Sequence, residues 1–276
     1  MKLSASKASS LFDHAALKHR RARATDDALF LHRAAVDDVQ DRLDMVNRTF
    51  TAPAVVSPFA HVWHDLLPDA QCVPDEDMLS LSPDTYDLVV HAMALHWSND
   101  PVGQLIQCMR ALRPDGLLLV ICLGGDTLHQ LRAALGQAEI EVIGGLSPRV
   151  APMGELRDLG TLLQRAGLAL PVADSVSLTA RYRDVFHLMR DLRAMGETNV
   201  QHDRIGTFTP RHVFDRAQDI YRDHFGDSDG HLPATFELIC LTGWRPDDNQ
   251  PKPLRPGSAR MRLADALGTK EDKLTD

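Results

Sequence analysis

The chain has 276 residues, 44% of them hydrophobic and 25% charged, with a formal net charge of −8. That length and balance fit one large α/β domain, or one domain with an appendage, and exclude a disordered chain. The acidic balance argues against a general nucleic-acid binder, and no apolar run approaches the roughly 20 residues of a membrane helix.

The cysteines, Cys72, Cys108, Cys122 and Cys240, are widely separated and form no CxxC pair. They give almost no support for a cysteine zinc site, and three of them, in apolar or strand-like contexts, point to buried thiols in a reducing compartment. Met1–Leu11 is short and polar, and is not expected to be a signal peptide.

Phe12–Arg23 is basic, with Lys18, His19, Arg20, Arg21 and Arg23 close together. It reads either as a solvated helix start or as a clamp over an active cleft. Thr25-Asp26-Asp27 is expected to cap a helix to about Val46, striped by Leu29, Leu31, Ala35, Val39 and Leu43. Ala54–Val56 reads as a strand, Phe59–Leu67 as a helix and Gln71–Val73 as a short strand. His61 and His64 would share one helix face, but no third ligand pattern accompanies them, and no metal is expected. The acidic run Asp75-Glu76-Asp77-Met78 follows.

Tyr86–Val90 is short, apolar and β-branched, as suits a strand buried on both faces. Ser98-Asn99-Asp100-Pro101 supplies capping side chains and a first-turn proline. Leu105, Ile106, Met109 and Leu112 then lie on one helical face. Arg113-Pro114-Asp115-Gly116 should turn the chain into a second buried strand, Leu117–Leu123. Strand, helix and strand at this spacing make a βαβ unit with parallel strands. Its carboxyl edge is the ligand crevice of an open sheet, so His91 and His96 are candidates for chemistry there and Trp97 for packing.

Gly124-Gly125-Asp126-Thr127 should cap a helix over Leu128–Ala138, with Asp126 either an N-cap or a crevice residue. The spacing predicts helices over Leu156–Ala166, from Val185 to Met195 and over Pro210–Phe225. It predicts strands at Leu168–Val172, Asp174–Leu178 and Leu232–Trp244, the last two pairing as a terminal hairpin. Gly196-Glu197-Thr198-Asn199 reads as a helix stop or as a polar site loop.

The stretch from Asp87-Leu-Val-Val-His-Ala-Met-Ala-Leu-His-Trp97 to Gly124-Gly125-Asp126 resembles the second half of a class I S-adenosylmethionine-dependent methyltransferase. It is more similar still to the family of NADH:ubiquinone oxidoreductase (complex I) assembly factor 5, and more distantly to the biotin-pathway malonyl-carrier methyltransferases. Phe12-Asp13 with its basic run, Gly144–Pro148, Asp158-Leu159-Gly160, Met195–Asn199, Leu232–Thr235 and Gly257-Ser258-Ala259 match in order. The resemblance covers most of the chain.

It implies a Rossmann-like α/β sandwich with S-adenosylmethionine as cofactor, a protein partner such as a complex I subunit, and a place in the bacterial cytoplasm or mitochondrial matrix. It also implies that Asp75 contacts the adenine amino group, with Glu76, Met78 and His91 nearby, and that His96, Asp126 and Glu197 line the reacting side. The sequence departs from the family at the cofactor loop. Ala54–His61 replaces the Gly-x-Gly turn, and the first glycine anywhere is Gly103. Ala54 to Tyr86 also holds only one unit of the roughly 30 residues that βαβ needs. One strand and one helix are therefore expected to be missing, with the ribose acid, leaving a sheet one strand short of seven.

These departures favour a degenerate cofactor site and an assembly role. The alternatives are an active methyltransferase or arginine hydroxylase acting on a protein, or an interaction module with no link to complex I. The expected organisation is a helical segment over 1–48, the α/β domain over 49–245 and an extended tail over 246–276.

Overall fold

A computed structural model describes residues 10–251, with Met261 and Gly268 beyond them. The chain divides after Pro246. The elements below belong to the first unit. The expected tail and the Gly257-Ser258-Ala259 match lie almost wholly outside the described residues.

The sheet has six strands in the order β2-β1-β3-β4-β6-β5. They are β1 (Pro53–Val56), β2 (Gln71–Val73), β3 (Tyr86–Ala92), β4 (Leu112–Gly124), β5 (Ala169–Tyr182) and β6 (Leu232–Trp244). The pairs β1/β2, β1/β3 and β3/β4 are parallel. The pairs β4/β6 and β5/β6 are antiparallel. The sheet is thus one strand short of seven, and β5 pairs with β6 as the sequence predicts. β1 and β3 are buried at every residue, as the continuous apolar runs require of parallel strands covered on both faces.

The helices are α1 (His14–Arg21), α2 (Phe30–Met45), α3 (Pro101–Ala111), α4 (His129–Ile143), α5 (Leu156–Arg165), α6 (Val185–Ala194) and α7 (Arg211–Phe225). Two apolar layers cover the sheet. One holds α2, α4, α6 and α7 against residues such as Val55, Leu119 and Phe236. The other holds α3 and α5 against Ala54, Val89 and Leu118.

Four local expectations are corrected. Phe59–Leu67 is not a helix. Only Ala60–Trp63 coils, as a 3-10 turn held by the buried Trp63 indole. Arg113–Gly116 does not break the chain; it bulges within β4, where pairing with β3 jumps from Tyr86↔Leu112 to Leu88↔Leu117. Leu168–Val172 and Asp174–Leu178 are one strand. Pro171 is tolerated because β5 lies at the sheet edge, beside a register shift between Ala169 and Val172. Neither Asp126 nor Thr25 caps a helix with its side chain. Leu128, in the left-handed region at φ 56°, precedes α4, and Thr25 makes no cap bond.

Candidate functional site

Strand order reverses between β1 and β3, since β2 lies on one side of β1 and β3 on the other. The carboxyl ends of β1 and β3 therefore frame the crevice where an open α/β sheet takes its ligand. After β1 the chain enters Ser57-Pro58-Phe59. Pro58 has no N–H to offer. The Phe59 N–H donates to Ser57 Oγ at 3.2 Å, and its ring packs edge-on against His32 at 4.8 Å. Side chains fill the turn where a glycine turn would leave backbone N–H groups open to a ligand.

At the end of β3 stands Arg21, the last residue of α1. Its side chain is 6% exposed. Nη1 donates to Asp75 Oδ2 at 2.5 Å, and Nη2 donates to Glu197 Oε1 at 3.4 Å and to the Met93 carbonyl at 3.5 Å. Asp75 stands on a loop fixed from α3. Gln104 Nε2 donates to the Glu76 and Asp77 carbonyls, and Gln107 Oε1 accepts from the Leu79 N–H.

Glu197 also accepts from the Trp97 indole N–H, and His96 Nε2 lies 3.2 Å from the same carboxylate oxygen. The Leu123 N–H can only donate, so His96 Nδ1, at 3.4 Å, accepts from it. That fixes the Nε2–H tautomer, with Nε2 donating to Glu197. Both ring nitrogens are engaged.

Burial acts to raise the Glu197 carboxyl. The His96 bond and the nearby Arg21 charge outweigh it and hold the group down at about 2. Burial pushes the His32 imidazole down to about 4 against the pull of Glu197, and neither ring nitrogen of His32 has a partner among the described residues. His91 is also pushed down, by burial, against a 3.3 Å bond between Nε2 and Gln104.

The N-terminal segment is clamped in place at several points. Phe12 exchanges two hydrogen bonds with the Asn99 side chain and packs edge-on to Trp97 at 5.1 Å. Asp13 caps α1 through the Ala16 N–H and pairs with Arg204 at 2.8 Å. The Thr25 N–H donates to the Ala194 carbonyl at the end of α6. Phe12-Asp13, His96-Trp97 and Gly196-Glu197 are far apart in sequence and converge here.

Of the residues singled out from sequence, Asp75 and Glu197 meet through Arg21, and His96 meets Glu197 directly. His91 is buried on β3 nearby. Glu76 is exposed and faces Lys18 at 3.4 Å, and Met78 is 76% exposed. Asp126 is exposed and does not join the cluster; its N–H donates to Glu237. The sequence reading missed the structural role of Arg21 and passed over His32. The only signal for Arg21 was the basic run on α1.

His61 lies on a 3-10 turn and faces Asp26 at 3.0 Å. Asp227, Asp229 and His231 are close enough together to hold a metal, but they are largely exposed and both carboxylates clasp Arg181.

Beyond Trp97 and Glu197 opens a cavity of about 700 Å³. Leu31, Leu128, Leu131 and Phe236 are among its buried walls. No residue between Leu31 and His96 lines it, so β1, β2 and the Asp75 loop have no part in it.

The methyltransferase domain family matches residues 28–120. The chain is 39% identical over 197 residues to the zebrafish (Danio rerio) protein named arginine-hydroxylase NDUFAF5, mitochondrial, covering 71% of this chain and 61% of that one. It is 36% identical over 199 residues to the human protein of the same name, covering 72% of this chain and 57% of that one. A malonyl-[acyl-carrier protein] O-methyltransferase of Methylovorus sp. is 35% identical over 193 residues, covering 70% and 59%. The chain thus spans about three-fifths of the length of these curated relatives. Residues 28–120 thus match a methyltransferase domain, and the chain is similar over about seven-tenths of its length to proteins named NDUFAF5.

Proposed function

We propose that this chain is an NDUFAF5-related protein whose cofactor crevice is closed, and that it serves respiratory complex I assembly by binding a protein partner rather than by transferring a methyl group. It would act in the bacterial cytoplasm or the mitochondrial matrix. The observation that carries this reading is the Arg21–Asp75 pair. The carboxylate that the resemblance assigns to adenine is taken by the chain's own guanidinium, and no glycine precedes Gly103 to cradle the rest of S-adenosylmethionine. Methyl transfer depends mainly on positioning donor against acceptor, so losing the donor's cradle removes most of what such an enzyme supplies.

One observation favours a second reading. Relatives are named arginine-hydroxylase, and Asp75 with Glu197 already forms a receptor for a guanidinium. A substrate arginine would have to displace Arg21 and with it the end of α1.

Complementation separates the two. Cells lacking this protein should lose assembled complex I. The binding reading expects rescue by wild type and by Asp75→Asn and His96→Gln alike. Rescue by wild type alone, with both variants folded and present at normal levels, would favour the catalytic reading.

A further inference from the structure

The cavity behind Trp97 and Glu197 has walls and a rim of opposite character. The walls are apolar and buried, from α2, α4, α6 and β6, and Leu131 and Phe236 are exposed by 4% and 0%. The rim carries six arginines, Arg20, Arg23, Arg149, Arg190, Arg193 and Arg204, in a chain whose net charge is −8. The one carboxylate among the lining residues is Glu197, already engaged by Arg21, His96 and Trp97.

Arg149 and Arg204 are answered by Glu139 and Asp13. The guanidinium groups of Arg23 and Arg193, on exposed residues, make no hydrogen bond or ion pair with any described residue. Arg20 donates to the Asn199 carbonyl, and its guanidinium is held below its ordinary range by partial burial and by the like charge of Arg204. An anion set among these side chains would relieve that repulsion and give the unpaired donors a partner.

We propose that this cavity binds an anionic amphiphile, with an apolar chain against Leu31, Leu131 and Phe236 and a carboxylate or phosphate head among Arg20, Arg23 and Arg193. The volume lies within the roughly 300–1,000 Å³ usual for small-molecule sites. An apolar tail follows from walls that offer it few polar partners. The positive rim selects an anionic head and disfavours a cationic one such as a sulfonium. The cavity and the cofactor crevice share the partition of His96, Trp97 and Glu197, and none of the three is among the side chains proposed to hold the ligand.

The test is calorimetry on the full chain with three probes of equal chain length, dodecanoate, dodecyl phosphate and dodecanol, each below its micellar concentration. The two anions should bind, and the alcohol should bind at least about tenfold more weakly. The tighter anion identifies the head. The surface pair Arg23→Gln/Arg193→Gln should weaken the anions by about tenfold or more and leave the alcohol unchanged. Met153→Trp, on the half-buried loop lining the cavity, should block every probe. Circular dichroism establishes that each variant is folded. Equal binding of dodecanol and the anions, anion binding indifferent to the arginine pair, or no binding of any probe would overturn the proposal.

Discussion

An ideal Cβ built on Gly196 would stand 2.9 Å from the Cα of Arg21, and Gly196 sits at φ 80°. The loop that carries Glu197 therefore passes so close to the end of α1 that only hydrogen fits between them. Glycine meets both demands, the left-handed backbone and the close approach. Gly196→Ala should cost about 1–3 kcal/mol, by strain at φ and by pushing α1 off the loop. Denaturant unfolding measures the loss. Gly145→Ala, where nothing lies within 4 Å of the added carbon, is the control.

Among the described residues, Arg21 is the only cation that pairs with both Asp75 and Glu197. Arg21→Met keeps the side-chain length and removes the charge, leaving two shielded carboxylates facing each other. The expected loss is about 3–5 kcal/mol, the usual result of stripping one partner from a buried pair. The exposed neighbour Lys18, paired to Glu76, should matter little: Lys18→Met should stay within about 0.5 kcal/mol. Comparable losses in the two variants would mean that Arg21 is not the keystone of the cluster.

The buried histidines predict acid sensitivity. The folded-state value of His32 lies at about 4 against an ordinary 6.5, so the unfolded chain takes up the proton first. The stability contributed by keeping His32 neutral is complete above about pH 6.5 and is lost as pH falls toward 4. The loss is at most about 3 kcal/mol. His91 is shifted in the same direction and adds to the slope. Glu197 acts lower, losing its contribution as pH falls from 4.5 toward 2. The His32→Leu variant should flatten the melting temperature between pH 6.5 and 4 without abolishing the slope. An unchanged profile would show that His32 does not carry the linkage.

The legible parts of the fold were those written in local pattern. Tyr86–Val90 and Leu117–Leu123 announce strands because parallel strands covered on both faces must be apolar throughout. The missing strand was legible as a shortage of residues between Ala54 and Tyr86. Proline misled at Pro171, because a break in the interior of a sheet and a residue at its edge look alike in sequence. Asp126 misled because a polar residue before a helix reads as a cap, whereas the chain turns at Leu128. The cluster around Arg21 was not legible. Arg21 meets Asp75 and Glu197 across 54 and 176 residues, and no periodicity encodes such a meeting. Short polar motifs matching one family gave notice that these places matter, but not that they touch.

The central claim is that the Arg21–Asp75 pair closes the crevice to S-adenosylmethionine, and calorimetric titration of the full chain with that cofactor tests it most directly. The account predicts no binding heat at millimolar cofactor, in wild type and in Asp75→Asn alike. Micromolar binding by wild type, lost in Asp75→Asn, would contradict it and show that Asp75 leaves Arg21 to take the adenine.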